Sequence, residues 1–232
     1  MCYTLIMKKI FEKFNIEISE KQLESFDKYY RLLIEYNEKF NITAITEKEE
    51  VYVKHFVDSL LFVDMLNGEN LIDIGSGGGF PALPIKIMRD DIKLTMLEAT
   101  GKKCEFLKVV VSELGLKDVT VINGRAEDLA KDEKYREQFD MCSARAVARL
   151  NTLCEYCMPF VKVNGKFIAF KGQAGEELEE AKNAIKVLGG NLSSVYERSL
   201  DGAKRSLVEI EKIANTDIKY PRGNGKEKKC PL

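Results

Sequence analysis

The sequence predicts an α/β fold: an open, mostly parallel sheet of seven strands whose last strand runs antiparallel, preceded by a helical extension. Three observations predict it. From residue 70 onward, short apolar runs alternate with helical apolar stripes, the runs spaced about 20–25 residues apart, which is the rhythm of βαβ crossovers in a parallel sheet. The last two runs are joined by a link near residues 200–204 that is too short for a helical crossover, so they pair antiparallel. Before residue 70 the apolar residues keep a helical period only.

The elements follow in order. Ser19-Glu20-Lys21-Gln22 has the form of a capping box, and Leu23, Phe26, Tyr30, Leu33 and Ile34 then form a helical stripe. Thr46-Glu47-Lys48-Glu49 reads as a second capping box, ahead of Val53, Phe56, Val57, Leu60 and Leu61. Strands are expected at 71–74, 92–97, 119–122, 139–144, 166–170, 193–198 and 206–213. Pro81 suits the first turn of a helix, where its missing N–H is not needed. Cys104, Leu107, Val111 and Leu114 mark a helix ended by Gly115, and Leu178, Ala181, Ile185 and Leu188 one ended by Gly189-Gly190. The expected organisation is a helical extension over 1–69, a catalytic domain over 70–214 and a basic tail over 215–232. Met7-Lys8-Lys9 reads as a start of translation, with the first six residues an extension.

Composition narrows the function. A chain of 232 residues with 36 Lys plus Arg against 37 Asp plus Glu has no global charge to drive nucleic-acid or lipid binding, although a local basic face remains open. No apolar run reaches the ~20 residues of a membrane span. With no secretory signal, the six cysteines read as reduced thiols of a cytoplasmic protein. Cys154-x-x-Cys157 has no second pair and the one histidine, His55, is far away in sequence. Buried helix cysteines and no metal are the expectation. The tail, with Lys219, Arg222, Lys226, Lys228 and Lys229 against Glu227, reads either as a frayed end or as a phosphate-binding arm, with Pro and Gly keeping it from being a helix.

The motif that carries chemistry is Asp73-Ile-Gly-Ser-Gly-Gly-Gly-Phe-Pro81, between a strand and a helix. Glycines there admit positive φ and close approach of a ligand. No Lys-Ser or Lys-Thr follows, so a P-loop is excluded. The dinucleotide fingerprint asks for Gly at the sixth position, which here is Phe80. S-adenosylmethionine has no pyrophosphate to neutralise; it needs a glycine turn (Gly75, Gly77) and an acid after the second strand, which Glu98 supplies for the ribose hydroxyls. The same acid could hold an NAD ribose, so an oxidoreductase stays open. After the third strand, a backbone N–H at Ala126-Glu127 can reach an adenine nitrogen, unless the segment is a plain helix start. After the fourth, Arg145 should face donor and acceptor, where its guanidinium can clamp a carboxylate or phosphate. The Asn/Asp-Pro-Pro-aromatic motif of amino methylation is missing, and Cys142 lies within a strand with no preceding Pro, unlike a pyrimidine C5 nucleophile. Guanine N7 has a free lone pair and suits a site without an evident base.

Together with Tyr36-Asn-Glu-Lys-Phe-Asn-Ile-Thr43, Lys54-His-Phe-Val-Asp-Ser59, Gly124-Arg-Ala-Glu-Asp128, Ser143-Ala-Arg-Ala-Val-Ala-Arg-Leu150 and Tyr220-Pro-Arg222, the glycine turn resembles the rRNA small subunit methyltransferase G family. The resemblance runs from about Phe26 to Leu232. It implies a class I, Rossmann-like, S-adenosylmethionine-dependent methyltransferase that modifies N7 of guanine-527 in bacterial 16S rRNA, as free RNA or in a small-subunit particle. It implies cofactor contacts from Gly75, Phe80, Ala126, Glu127 and Arg145. The family's usual Gly-x-Gly-Ala-Gly-Phe is Gly-Ser-Gly-Gly-Gly-Phe here, and its frequent Asp at the second strand end is Glu98. Lys54, His55, Arg149, Lys171, Arg205 and Arg222 are the candidates for RNA contact, with Lys54–Asp58 and His55–Ser59 at i,i+4. Two non-oxidoreductase rivals remain: a methyltransferase for another acceptor, and an RNA-binding scaffold without turnover.

Overall fold

The computed structural model describes residues 2–232, with side-chain surroundings from Ile6 onward. Met1 and the side chains of residues 2–5 lie outside it, and with them part of the segment read as an extension. The first helix, α1 (Cys2–Lys13), runs without a break through Met7, which is buried. Helix α2 (Glu20–Asn37) starts at the expected capping box: Gln22 N–H donates to Ser19 Oγ, and Ser19 N–H donates to Gln22 Oε1. Its buried face is Leu23, Phe26, Tyr29 and Leu33; Tyr29, not Tyr30, is the inward tyrosine.

The second capping box does not form. Helix α3 (Lys48–Val51) begins after Glu47, with no side-chain cap, so Thr46 has no such role. It continues as a π-helical turn over Tyr52–Val57 into α4 (Asp58–Leu60). The i,i+4 pairing expected of Lys54 and Asp58 is not made: Lys54 pairs with Glu50, and Asp58 with Arg145 and Arg205.

The sheet contains β1 (Asn70–Ile74), β2 (Lys93–Glu98), β3 (Val119–Asn123), β4 (Phe139–Arg145), β5 (Val161–Lys171), β6 (Gly190–Leu200) and β7 (Ala203–Lys212), in the order β3-β2-β1-β4-β5-β7-β6. Strands β1 to β5 pair in parallel, and β7 inserts antiparallel between β5 and β6. All seven strands were legible; β5 and β7 are longer than their apolar runs because they begin with partly exposed, mostly polar stretches, residues 162–164 and 204–205, and β6 extends to buried Gly190 and Leu200 at its two ends. The register of β6 shifts between Leu192 and Ser194, a bulge on an edge strand. Helices α5 (Ala82–Met88), α6 (Gly101–Glu113), α7 (Ala126–Leu129), α8 (Leu150–Cys157) and α9 (Gly175–Val187) cover the faces. Pro81 stands just before α5 rather than within it.

One core cluster joins Phe11, Phe26, Tyr29, Phe56 and Leu60 to Phe80, Leu83, Leu94 and Phe106, so the N-terminal helices pack directly on the sheet and on the helices beside its glycine turn. The tail is docked. Arg222 is paired with buried Glu155 of α8, Glu227 is fully buried, and a short helix, α10 (Lys226–Lys229), forms where Pro and Gly predicted none. Cys142, Cys154 and Cys157 are buried, and burial raises the thiols of Cys154 and Cys157. No described helix is long and apolar enough to cross a membrane.

Candidate methyl-donor site and acceptor cleft

The site lies at the carboxyl ends of β1, β2, β4 and β5, where open α/β sheets bind ligands. After β1 the chain turns through Gly75, Gly77 and Gly79, all with positive φ (73°, 55° and 93°). Gly79 is the tightest: a Cβ there would stand 2.5 Å from Leu83 Cδ1 and from Tyr29 Oη. Above Gly77 the space is open, its nearest neighbour being Gly75 O at 3.8 Å. The turn is pinned to β2 by Gly75 N–H donating to Leu97 O at 2.8 Å. Glu98 then accepts from Gly77 N–H (2.9 Å) and Thr100 N–H (2.8 Å). Ala126 is buried and begins α7 beyond β3, and Glu127 follows it, its carboxylate largely shielded.

Tyr29 holds the turn from the other side. Its hydroxyl donates to Gly78 O, and its ring stacks on Phe80 at 5.5 Å. Phe80 also stacks on His55 (4.4 Å) and lies under the Arg145 guanidinium (5.3 Å). Asp73, at the end of β1, is buried. Its Oδ1 accepts from Ser143 Oγ at 2.6 Å, and its Oδ2 has no partner. Burial pushes its carboxyl up to about 6. An orphaned carboxylate oxygen fits the cationic amino-acid end of S-adenosylmethionine, the open space over Gly77 fits its passage, and Glu98 fits its ribose diol.

Beside this turn opens a cleft of about 470 Å³, walled by Phe62 and Phe170 and lined by Lys54, His55, Asp58, Arg145, Lys171 and Arg205. Asp58 is its one acidic lining residue and accepts from two arginines: Arg145 Nη1 at 2.9 Å and Arg205 Nε at 2.5 Å. His55 is half-buried. Its Nδ1 faces Arg145 Nη2 at 3.5 Å, and its Nε2 lies 2.8 Å from Thr43 Oγ1. A guanidinium can only donate, so Nδ1 is the bare nitrogen and Nε2 carries the proton to Thr43. Burial, and then the Arg145 charge, lower its pKa to about 4, so the ring is neutral at pH 7. Lys171 donates to Ala148 O (2.8 Å) and pairs with Glu177 (2.6 Å).

Of the candidate RNA residues, Lys54, His55, Lys171 and Arg205 share this cleft. Arg149 and Arg222 do not: Arg149 pairs with Glu180 on the surface, and Arg222 lines a smaller cleft with Arg125, Glu127 and Asp128. The sequence reading missed Tyr29, Thr43, Asp58 and Asp73 as site residues. An acid closing an apolar strand was a signal for Asp73, and His55-x-x-Asp58 a signal for Asp58. Tyr29 gave none, since it reads as one more core aromatic. Among the described residues, no group of three or more His, Cys, Asp or Glu is placed to hold a metal.

The sequence profile of GidB, rRNA small subunit methyltransferase G, matches residues 22–208. The chain belongs to this family. It is thus a methyltransferase of small-subunit ribosomal RNA, with the class I fold of S-adenosylmethionine-dependent enzymes. It is similar to ribosomal RNA small subunit methyltransferase G of Exiguobacterium sibiricum, 47% identical over 223 residues that cover 94% of each chain. It is likewise similar to that of Lactobacillus johnsonii, 46% identical over 235 residues and 98% of each. Among solved structures, an O-methyltransferase from Bacillus cereus in complex with SAH shares the fold at a TM-score of 0.57 and 14% identity, over 80% of this chain and 90% of that one. A geranyl diphosphate methyltransferase in complex with SAM does so at a TM-score of 0.52 and 14% identity, over 68% and 85%.

Proposed function

We infer that this chain moves the methyl group of S-adenosylmethionine onto N7 of guanine-527 of 16S rRNA, with the small ribosomal subunit or its RNA as partner. The observation that carries the N7 reading is the state of the cleft's proton acceptors. His55 is neutral with both ring nitrogens engaged, and Asp58 is taken up by two guanidinium groups. Neither is available as a general base. N7 attacks with its own lone pair and needs only to be aligned with the methyl group.

Gly75, Gly77, Phe80, Glu98, Ala126 and Glu127 hold the donor in this reading, with Asp73 Oδ2 at its amino end. Arg145 stands between the two halves: its guanidinium lies over Phe80 of the donor turn and donates to Asp58 in the cleft. The cofactor supplies the electrophilic methyl group. The chain's residues orient it and hold the base between the aromatic walls Phe62 and Phe170. Lys54, His55, Lys171 and Arg205 face the RNA at the cleft, and Arg149 and Arg222 extend the contact outside it.

The test is methylation of 16S rRNA and of small-subunit particles with labelled S-adenosylmethionine, followed by borohydride reduction and aniline scission, which cuts RNA at N7-methylguanine. Scission at guanine-527 supports the reading. Label without scission there would move the acceptor to another atom or nucleotide.

A further inference from the structure

Asp58 is conspicuous because it is an acid in a cleft meant for a polyanion. It arrives from the N-terminal helices on the end of the π-helical turn and meets arginines from two different strands. Arg145 ends β4, and Arg205 lies on β7 next to Ser206, the register partner of Lys171. The guanidinium groups therefore come from opposite sides of β5 and would repel each other without a shared anion. Asp58 gives each a separate oxygen. Arg145 is held from two further directions, by His55 Nδ1 and by the face of Phe80. The triad keeps a net charge of +1. Arg205 spends Nε on Asp58 and Nη1 on Lys204 O, so its outer edge keeps donors, and exposed Lys54 stands at the rim.

We propose that Asp58 is a positioning residue that fixes Arg145 and Arg205 as one clamp for a backbone phosphate beside the methylated nucleotide. The proposal rests on RNA being the substrate. One phosphodiester carries one negative charge, matching the triad's excess, and planar guanidinium groups held in place bind phosphate oxygens in pairs.

A sign separates positioning from simple charge. By Coulomb's law alone, Asp58→Asn removes an acid from a phosphate site, and RNA binding should tighten. Positioning predicts the reverse: KM for RNA rises about tenfold or more, with Asp58→Glu recovering part of it, while calorimetric affinity for S-adenosylmethionine holds within about twofold. The double variant Asp58→Asn/Arg205→Gln should be no worse than the poorer single variant. Should Asp58→Asn fail to fold, Arg205→Gln alone decides: the slope of log affinity against log salt should fall by about one.

A lower or unchanged KM in Asp58→Asn, additive losses in the double variant, an unchanged salt slope, or a loss confined to cofactor affinity would each overturn the clamp. Wild-type enzyme that methylates neither 16S rRNA nor the particle would instead remove the RNA reading, and the clamp with it.

Discussion

The donor half and the acceptor half of this site are built from different materials. Around the donor turn the working groups are mostly backbone: glycines with positive φ, N–H groups bonded to Glu98 and Leu97, and a carbonyl held by Tyr29. In the acceptor cleft they are charged side chains, and the acid at its centre has partners far away in sequence. Asp58 bonds Arg145 and Arg205, 87 and 147 residues on. A backbone site is fixed by local conformation and shows in a short motif. An ion-pair site exists only once the whole chain has folded. The difference should also appear in energetics: donor-side changes should strike stability and cofactor binding together, and cleft changes should strike RNA handling.

The largest effect is expected at Gly79. Alanine there would put a Cβ 2.5 Å from two heavy atoms in a left-handed backbone conformation. We expect a loss of about 3 kcal/mol or more in urea unfolding and no measurable cofactor binding. A fully stable, cofactor-binding Gly79→Ala would show that the turn is less constrained than its contacts require.

Next comes a pair of opposed titrations, one from each half. The Asp73 carboxyl is raised from 3.8 to about 6. Between those values the folded protein keeps a proton that the unfolded chain has lost, so this group makes stability fall as pH rises. His55 is lowered from 6.5 to about 4. Between those values the unfolded chain binds the extra proton, so stability rises with pH. Each slope is at most about 1.4 kcal/mol per pH unit, and the two largely cancel. Relative to wild type, Asp73→Asn should therefore gain stability with rising pH from 4 to 6.5, and His55→Gln should lose it. Parallel urea-midpoint profiles for all three proteins would mean that neither shift exists.

Tyr29→Phe sharpens the comparison from a distance. It keeps the ring stack but leaves the Gly78 carbonyl, buried beneath it, without its donor. The expected cost is about 1 kcal/mol and a roughly fivefold weaker Kd for S-adenosylmethionine, with KM for RNA unchanged. A change in RNA handling alone would place Tyr29 on the wrong side of the division. The smallest effect belongs to Lys54→Ala. Its pair with Glu50 is half-exposed, so stability should move by no more than about 0.5 kcal/mol. RNA affinity should drop at low salt and converge with wild type at high salt.

The same division explains what the sequence made legible. The alternation of strands and helices, the short final link and the glycine turn all rest on neighbours in the chain, and each was readable. Thr46 illustrates a local pattern that the fold does not use: the chain enters α3 after Glu47 with no side-chain cap, and Tyr52 and Phe56 sit among the aromatic rings of the core. Arg145, Arg205 and Lys171 were recognisable as candidates from their places at strand ends. The partner shared by the two arginines was not, because nothing near Arg145 or Arg205 in sequence says that Asp58 will bond them both. The tail differs from its frayed reading for the same reason. Its residues read either as a frayed end or as a phosphate-binding arm, and the docking of Arg222 on Glu155, buried in α8, shows in neither.

The bulge in β6 bears on how the protein behaves at high concentration. An open sheet presents two strands with unpaired backbone groups, each a template on which another chain can extend the ladder. Here one border, β3, is only five residues long. The other, β6, is eleven residues and carries exposed Leu192 and Val195, the profile of a sticky edge. The slipped register between Leu192 and Ser194 interrupts the regular spacing of its donors and acceptors beside those two side chains. Farther along, Glu197 and Arg198 are tied to Lys204 and Asp64, which lays charge across the rest of the strand. The irregularity is of the kind that blunts an open edge, and a straight β6 would offer another chain a more regular ladder.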